Sequence, residues 1–208
     1  PWAAPRFSRH RFSRRVSRRR RDRFFLPRTA GAISDPHAIP THIHPKGFDA
    51  MTRKAIQDSY APMFSHCYGC GRLNPDGLQI KSYWNGKEAV CRFDPRPYHT
   101  AIPGYVYGGL IASLIDCHAT GTAAAAAYQA EGRPMDSDPP LRFLTASLHV
   151  DYLKPTPIDA TLEVRARVAE HRGRKVTVEA ELYAGEQLCA RGRVVTVQVP
   201  EHLLPQAS

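Results

Sequence analysis

The chain has 208 residues, enough for one domain with extensions, and a formal net charge of +10. Residues 1–50 hold 11 Arg and one Lys against three Asp, a net of +9, which leaves residues 51–208 at +1. The bulk charge of the later part therefore gives no reason to expect a nucleic-acid or membrane partner.

The basic quarter (PWAAPRFSRHRFSRRVSRRRRDRFFLPR) has no steady apolar period, and Arg repels Arg, so disorder is its default. Three readings compete for it. It is a nucleic-acid-binding arm, since Arg runs neutralise phosphate, an organelle transit peptide, or translated upstream sequence, since the chain starts at Pro1 and its first methionine is Met51. The expected organisation is an extension over 1–50, a folded domain over 51–200 and a tail over 201–208. No apolar run is expected to span a bilayer, which takes about 20 residues. The N-terminus lacks the compact apolar segment and small-residue cleavage site of a secretory signal. Five cysteines, at 67, 70, 91, 117 and 189, are an odd number without a disulfide framework, and a reducing cytoplasm suits them.

From Met51 to Ser65 the pattern predicts a short helix. His66-Cys67-Tyr68-Gly69-Cys70-Gly71 then leads into Asn74-Pro75-Asp76-Gly77. One CxxC is half of a structural zinc site, and His66, Cys91 and Cys189 are candidate partners without the spacing such sites show. The glycines and asparagine favour a tight turn with half-buried thiols, and no metal is expected. Leu78 to Trp84 and Ala89 to Phe93 flank Asn85-Gly86 as a hairpin. Asp94 to Pro103 is a proline-rich loop containing His99.

Pro103 to Tyr128 (PGYVYGGLIASLIDCHATGTAAAAAY) predicts a helix starting near Gly108-Gly109. It is apolar on most sides, which marks a helix inside something rather than on it. The acid within it, Asp116, must be paired, hydrogen-bonded or used. Thr120 and Thr145 are its candidate structural partners. The small residues Ala123 to Ala127 leave room beside the helix. Thr145–Leu153, Ala160–Glu170, Lys175–Tyr183 and Gln187–Val199 alternate apolar and polar residues between tight turns. They predict an antiparallel meander with one buried face. The fold class is α+β: about six antiparallel strands wrapped around one long central helix. Neither a GxxxxGK phosphate loop nor a GxGxxG dinucleotide motif occurs.

Four segments in order resemble the hot-dog-fold acyl-CoA thioesterases of the PaaI and thioesterase-superfamily-member type. CYGCGRLNPDGLQI is similar to their CFGCG…NPxGL segment, and PGYVYGGLIASLID to their PGxxHGGxxxxxxD helix start. TASLHVDYLKPTP is similar to their TxxLxVxYxxP strand, and HRGRK to a hairpin that tends to read GRK. The resemblance runs from about Cys67 to Val199. It implies a helix wrapped by a sheet, a homodimer or dimer of dimers with sites at the interface, an acyl-CoA substrate, thioester hydrolysis and no cofactor.

The resemblance also implies residue roles. Asp116 activates water or attacks directly, and Thr145 positions the water. The N–H groups at Gly108 and Gly109 lie where a helix start has unpaired donors and a positive dipole, which suits an oxyanion. Tyr107 stands where the family has histidine. A phenol donates a hydrogen bond but is not a base near neutral pH, so a non-catalytic domain binding acyl-CoA or a partner protein is the alternative. His99 and His118 are candidates to compensate. Lys154, with Arg172, Arg174 and Lys175 at a hairpin, are candidates for the phosphates of coenzyme A.

Overall fold

The structure is a computed structural model, and it describes residues 54–200 and residue 202. The expectations for the Arg-rich extension, and for the tail apart from His202, lie outside the described residues.

The first described segment forms two 3-10 turns, Ile56–Ser59 and Pro62–Phe64, rather than the predicted helix. Ala61, between them, has extended backbone ahead of Pro62, as a residue preceding proline prefers. Strand β1 (Ser82–Trp84) starts four residues later than expected, after Gln79 takes a left-handed φ of 56°. Trp84 pairs with Ala89 at the start of β2 (Ala89–Phe93). The Asn85 side chain closes this hairpin by accepting from the N–H groups of Lys87 and Glu88, both at 2.9 Å. The loop that follows contains a small hairpin the pattern did not signal, β3 (Thr100–Ile102) with β4 (Tyr105–Val106).

Helix α1 runs from Gly108 to Ala130. It is followed by β5 (Phe143–Tyr152), β6 (Leu162–Arg172), β7 (Lys175–Ala184) and β8 (Gln187–Gln198). Gly173 and Gly185, with φ of 56° and 58°, open the two-residue loops of the β6–β7 and β7–β8 hairpins. The six strands form one antiparallel sheet in the order β1-β2-β6-β7-β8-β5. The expected four-strand meander is thus true only of β6-β7-β8. Strand β5 pairs with β8 and forms one edge of the sheet.

Alternation sorts the sheet's two faces. Leu162, Val164, Ala166, Val178, Ala180, Leu182, Ala190 and Val194 are buried. The other face carries cross-strand ion pairs such as Arg92–Glu163 at 2.8 Å, Arg191–Glu181 at 3.1 Å and Arg193–Glu179 at 3.2 Å. Such exposed pairs mark a solvated surface and add little stability each. Helix α1 packs on the buried face. Gly192 makes room for it, since a Cβ there would lie 2.4 Å from Ile115 Cγ2. Ala123, Ala124, Ala125 and Ala127 are buried as well. The smooth half of the helix therefore lets other elements approach closely and does not leave space beside it. By length and composition α1 meets the test for a membrane span, contrary to the expectation that no such run exists, but most of it is buried inside the fold.

One buried polar network ties helix to sheet. Nε2 of His118 lies 3.1 Å from the Ala89 carbonyl, which only accepts, so Nε2 carries the proton. Nδ1 then accepts from the Ser82 hydroxyl at 2.8 Å. Gln57 donates to that hydroxyl at 3.0 Å and accepts from the Ser82 N–H at 2.8 Å. His118 is thus a structural group and is not available to compensate for Tyr107. Burial pushes its pKa down from 6.5 to about 4. Between those values the unfolded chain binds the extra proton, so the stabilisation is complete above pH 6.5 and is lost toward pH 4. Denaturant titrations across this range should show a fall of roughly 3 kcal/mol, and His118→Asn should flatten that acid limb.

Candidate functional site

The mouth of α1 is built from tyrosines and glycines. Tyr107 is the N-cap residue, and no side chain caps the first turn. The Tyr107 ring folds over Gly109, where a Cβ would lie 2.4 Å from Cε2. Gly109 must therefore lack a side chain for this ring position to exist. The Tyr152 hydroxyl donates to the Gly108 carbonyl at 2.9 Å. The Tyr107 N–H donates to the His99 carbonyl at 3.0 Å. His99 itself is buried, and its Nδ1 accepts from the Arg96 N–H at 3.0 Å. Burial, and then the Arg96 charge, lower its pKa. Its ring holds a turn, and its carbonyl anchors the helix mouth.

Asp116 is half-exposed, not buried as the pattern implied. Of its two candidate structural partners it takes Thr145, whose hydroxyl donates to Oδ1 at 2.5 Å. Thr120 instead bonds back to the Cys117 carbonyl. Thr145 stands at a bulge: it pairs with Thr196, while the next paired residue, Ser147, faces Val195. Ala146 is the extra residue, and bulges of this kind re-aim neighbouring side chains.

A groove of about 320 Å³ opens beside the helix mouth, lined by Val106, Gly108, Ile111, Tyr152, Lys154 and Thr156 among others. Lys154, a sequence candidate, thus joins Gly108. Thr156 is a residue the sequence reading missed. It is buried, and its hydroxyl has no hydrogen-bond partner. No motif marks it, since Lys-Pro-Thr-Pro reads as a plain strand end.

The basic hairpin lies elsewhere in the chain. Tyr152, near the mouth, pairs with Ala190, whereas Phe143 pairs with Gln198, whose carbonyl accepts from Arg174 at 2.8 Å. Nine strand residues separate these levels, roughly 30 Å. Arg174 and Lys175 therefore do not meet Lys154 within one copy, and Arg172 is paired with Glu170 at 2.6 Å.

The CxxC loop gains a partner that spacing did not predict. Cys67 Sγ lies 3.8 Å from Cys117 Sγ, on α1 directly after Asp116. Cys70 completes a group whose sulfurs all lie within 4.8 Å of one another. Cys91 and Cys189 bond to the Arg92 and Gln187 carbonyls instead.

Residues 103–195 match the sequence profile of the thioesterase superfamily. A crystal structure of a thioesterase superfamily protein from Shewanella loihica is 48% identical, with a TM-score of 0.50, over 66% of this chain and 97% of that one. The chain belongs to the thioesterase superfamily. Another member's crystal structure superposes with a TM-score of 0.52 at 22% identity, over 72% of each chain, which speaks to the fold alone. Among curated proteins, acyl-coenzyme A thioesterase THEM4 of Xenopus laevis is 32% identical over 114 residues, 53% of this chain and 46% of that protein. The Rattus norvegicus THEM4 is 29% identical over 141 residues, 67% and 54% respectively. The chain thus spans about half the length of the curated relatives it matches. The profile match takes in the helix mouth, Asp116, Thr145, Lys154 and the basic hairpin of this superfamily member, and begins after its CxxC loop.

The unpaired Thr156 hydroxyl has a measurable consequence. A buried hydroxyl without a partner costs stability. Thr156→Val should therefore leave the free protein as stable or raise it by up to about 1 kcal/mol, read from denaturant midpoints at constant slope.

Proposed function

We propose that this chain hydrolyses the thioester of an acyl-coenzyme A to a free acid and coenzyme A. The observation that carries this reading is the Thr145–Asp116 hydrogen bond on the exposed stripe of a helix whose glycine start lacks a side-chain cap. Asp116 takes a proton from water, with Thr145 orienting the acid. The hydroxide adds to the thioester carbon. The oxygen gathers negative charge and accepts from the Gly109 N–H, with Gly108 allowing close approach. Collapse expels the coenzyme A thiolate, which is then protonated. The step uses water and protein groups, with no cofactor or metal. The five free cysteines are compatible with a cytoplasmic site of action.

The active unit in this proposal is a homodimer, alone or paired into a dimer of dimers. Gly109 and Asp116 are seven residues apart, about 10 Å along the axis. Direct contact of both with one carbonyl needs each within about 3.5 Å. A second copy would supply the missing half. Strand β5 is an unpaired edge that exposes Leu144 (57%), Leu148 (38%) and Tyr152 (55%). Such an edge invites antiparallel pairing with its own copy. Pairing centred near Leu148 brings the Thr145 end of one β5 toward the Tyr152 end of the other. Asp116 then approaches the partner's helix mouth. The same operation carries the Arg174–Lys175 hairpin toward the partner's Lys154, where basic groups suit the phosphates of coenzyme A. Thr156 offers its free hydroxyl to the part of the ligand that enters the groove.

Tyr107 favours a second reading, a hot-dog domain that binds acyl-CoA or a partner protein without hydrolysing it. Its phenol donates to a thioester oxygen but takes no proton from water near neutral pH. Coenzyme A release from a panel of acyl-CoAs separates the two. Hydrolysis predicts turnover by the wild type and a kcat at least about 100-fold lower in Asp116→Asn. Equal, slow release by both proteins supports binding alone. Leu148→Asp should give a monomer in sedimentation experiments that has lost turnover in proportion. Full activity in that monomer would refute the composite site.

A further inference from the structure

We propose that Cys67, Cys70 and Cys117 form a three-thiolate site for a thiophilic divalent cation, zinc in the cell, that clamps the CxxC loop to helix α1. The site stands apart from the hydrolytic step, which has no use for the ion.

Geometry is the first ground. Zinc–sulfur bonds of about 2.3 Å in a tetrahedral site put neighbouring sulfurs about 3.8 Å apart. Cys67 Sγ and Cys117 Sγ are 3.8 Å apart, and Cys70 Sγ lies within 4.8 Å of both. Small side-chain rotations close the remaining gap. Cys70 and Cys117 are buried and Cys67 is half-buried. The fourth position therefore opens on the Cys67 side, where water or a small thiol can bind.

The loop is shaped for these sulfurs. Gly69 lies against Cys117, and a Cβ there would be 2.3 Å from its sulfur. The backbone N–H groups of Gly69 and Cys70 face the Cys67 sulfur, as donors to a thiolate do. Gly71 closes the turn by donating to the Cys67 carbonyl at 2.8 Å. Gln79, in its left-handed conformation, donates to the Gly71 carbonyl at 2.9 Å and so fixes the loop from behind. These contacts hold the Cys67–Gly71 turn in place before any ion arrives.

Charge supplies an independent ground. Arg142 is half-buried, with its guanidinium 4.5 Å above the Tyr60 ring. Among the described residues it has no carboxylate partner. Cys70 and Cys67 lie within electrostatic reach of it. A partly buried cation needs an anion nearby. Three thiolates around a divalent ion carry a net charge of −1, which Arg142 balances. Three carboxylates or imidazoles would not select a soft ion in this way, whereas thiolates do. Binding converts three thiols to thiolates and releases the protons they held.

The test uses the full chain, reduced and stripped of metal with a chelator, then titrated with Co²⁺ and with Zn²⁺. The expected result is a thiolate-to-cobalt charge-transfer band that saturates at one ion per chain and is displaced by Zn²⁺. Cys117→Ser and, independently, the half-exposed Cys67→Ser should weaken binding at least about tenfold. Cys91→Ala and Cys189→Ala should leave it unchanged. Because Cys67 is partly exposed, Cys67→Ser is the variant expected to keep the fold, which circular dichroism checks. Arg142→Gln should weaken binding without abolishing the band. Absence of the band in the wild type, or equal affinity in folded Cys67→Ser, overturns the proposal.

Discussion

Helix α1 carries apolar side chains over most of its circumference, and one sheet must cover them. The six strands do so by curling around it, with Gly192 thinned to admit Ile115 and a run of alanines letting neighbouring elements close in. Coverage fails along one stripe. Gly109, Ala112, Ser113 and Asp116 follow the i, i+3, i+4, i+7 spacing of a single helix face, and all four stay partly or fully exposed. Strand β5, which shares that side through Thr145 and Tyr152, is bare on its outer edge and buries only Phe143. The residues proposed to act on a thioester lie on this uncovered side. Site and bare sheet edge are one constraint here: the acid is accessible because the sheet stops short of it.

Much of the fold was legible because it follows from periods. Alternation marked the strands, Asn-Gly marked a hairpin, and an uninterrupted apolar run marked the helix. The order of strands was not legible. Alternation says which side of a strand is buried but not which strand lies beside it, so β5 read as part of a meander when it pairs with β8. The exposure of β5 was hidden for the same reason. An edge strand with apolar residues such as Leu144 and Leu148 has the composition of a buried one.

The site was legible in part. Asp116 stood out as the lone acid of an apolar helix, and Thr145 was one of two hydroxyls in reach of it. Thr156 and Cys117 were invisible, because each acquires meaning only from residues distant in sequence. His118 and His99 show the opposite failure. A histidine near a site draws a chemical reading, yet hydrogen bonds tie both ring nitrogens of His118, and Nδ1 of His99, to structure.

Tyr107 and Gly109 are bound together by sterics, and that bears on how this site differs from a histidine-bearing one. The phenol ring covers Gly109 so closely that no side chain fits there. An imidazole in the same place is shorter and would uncover part of the helix start. In this chain the Tyr107 ring therefore contributes cover over the side of Gly109 as well as a hydroxyl. Replacing Tyr107 by His tests both contributions at once, since it changes the reach of the side chain and the cover over the glycine together. Tyr107→Phe keeps the cover and removes only the hydroxyl, so the pair of variants separates a hydrogen-bond donor from a steric cover.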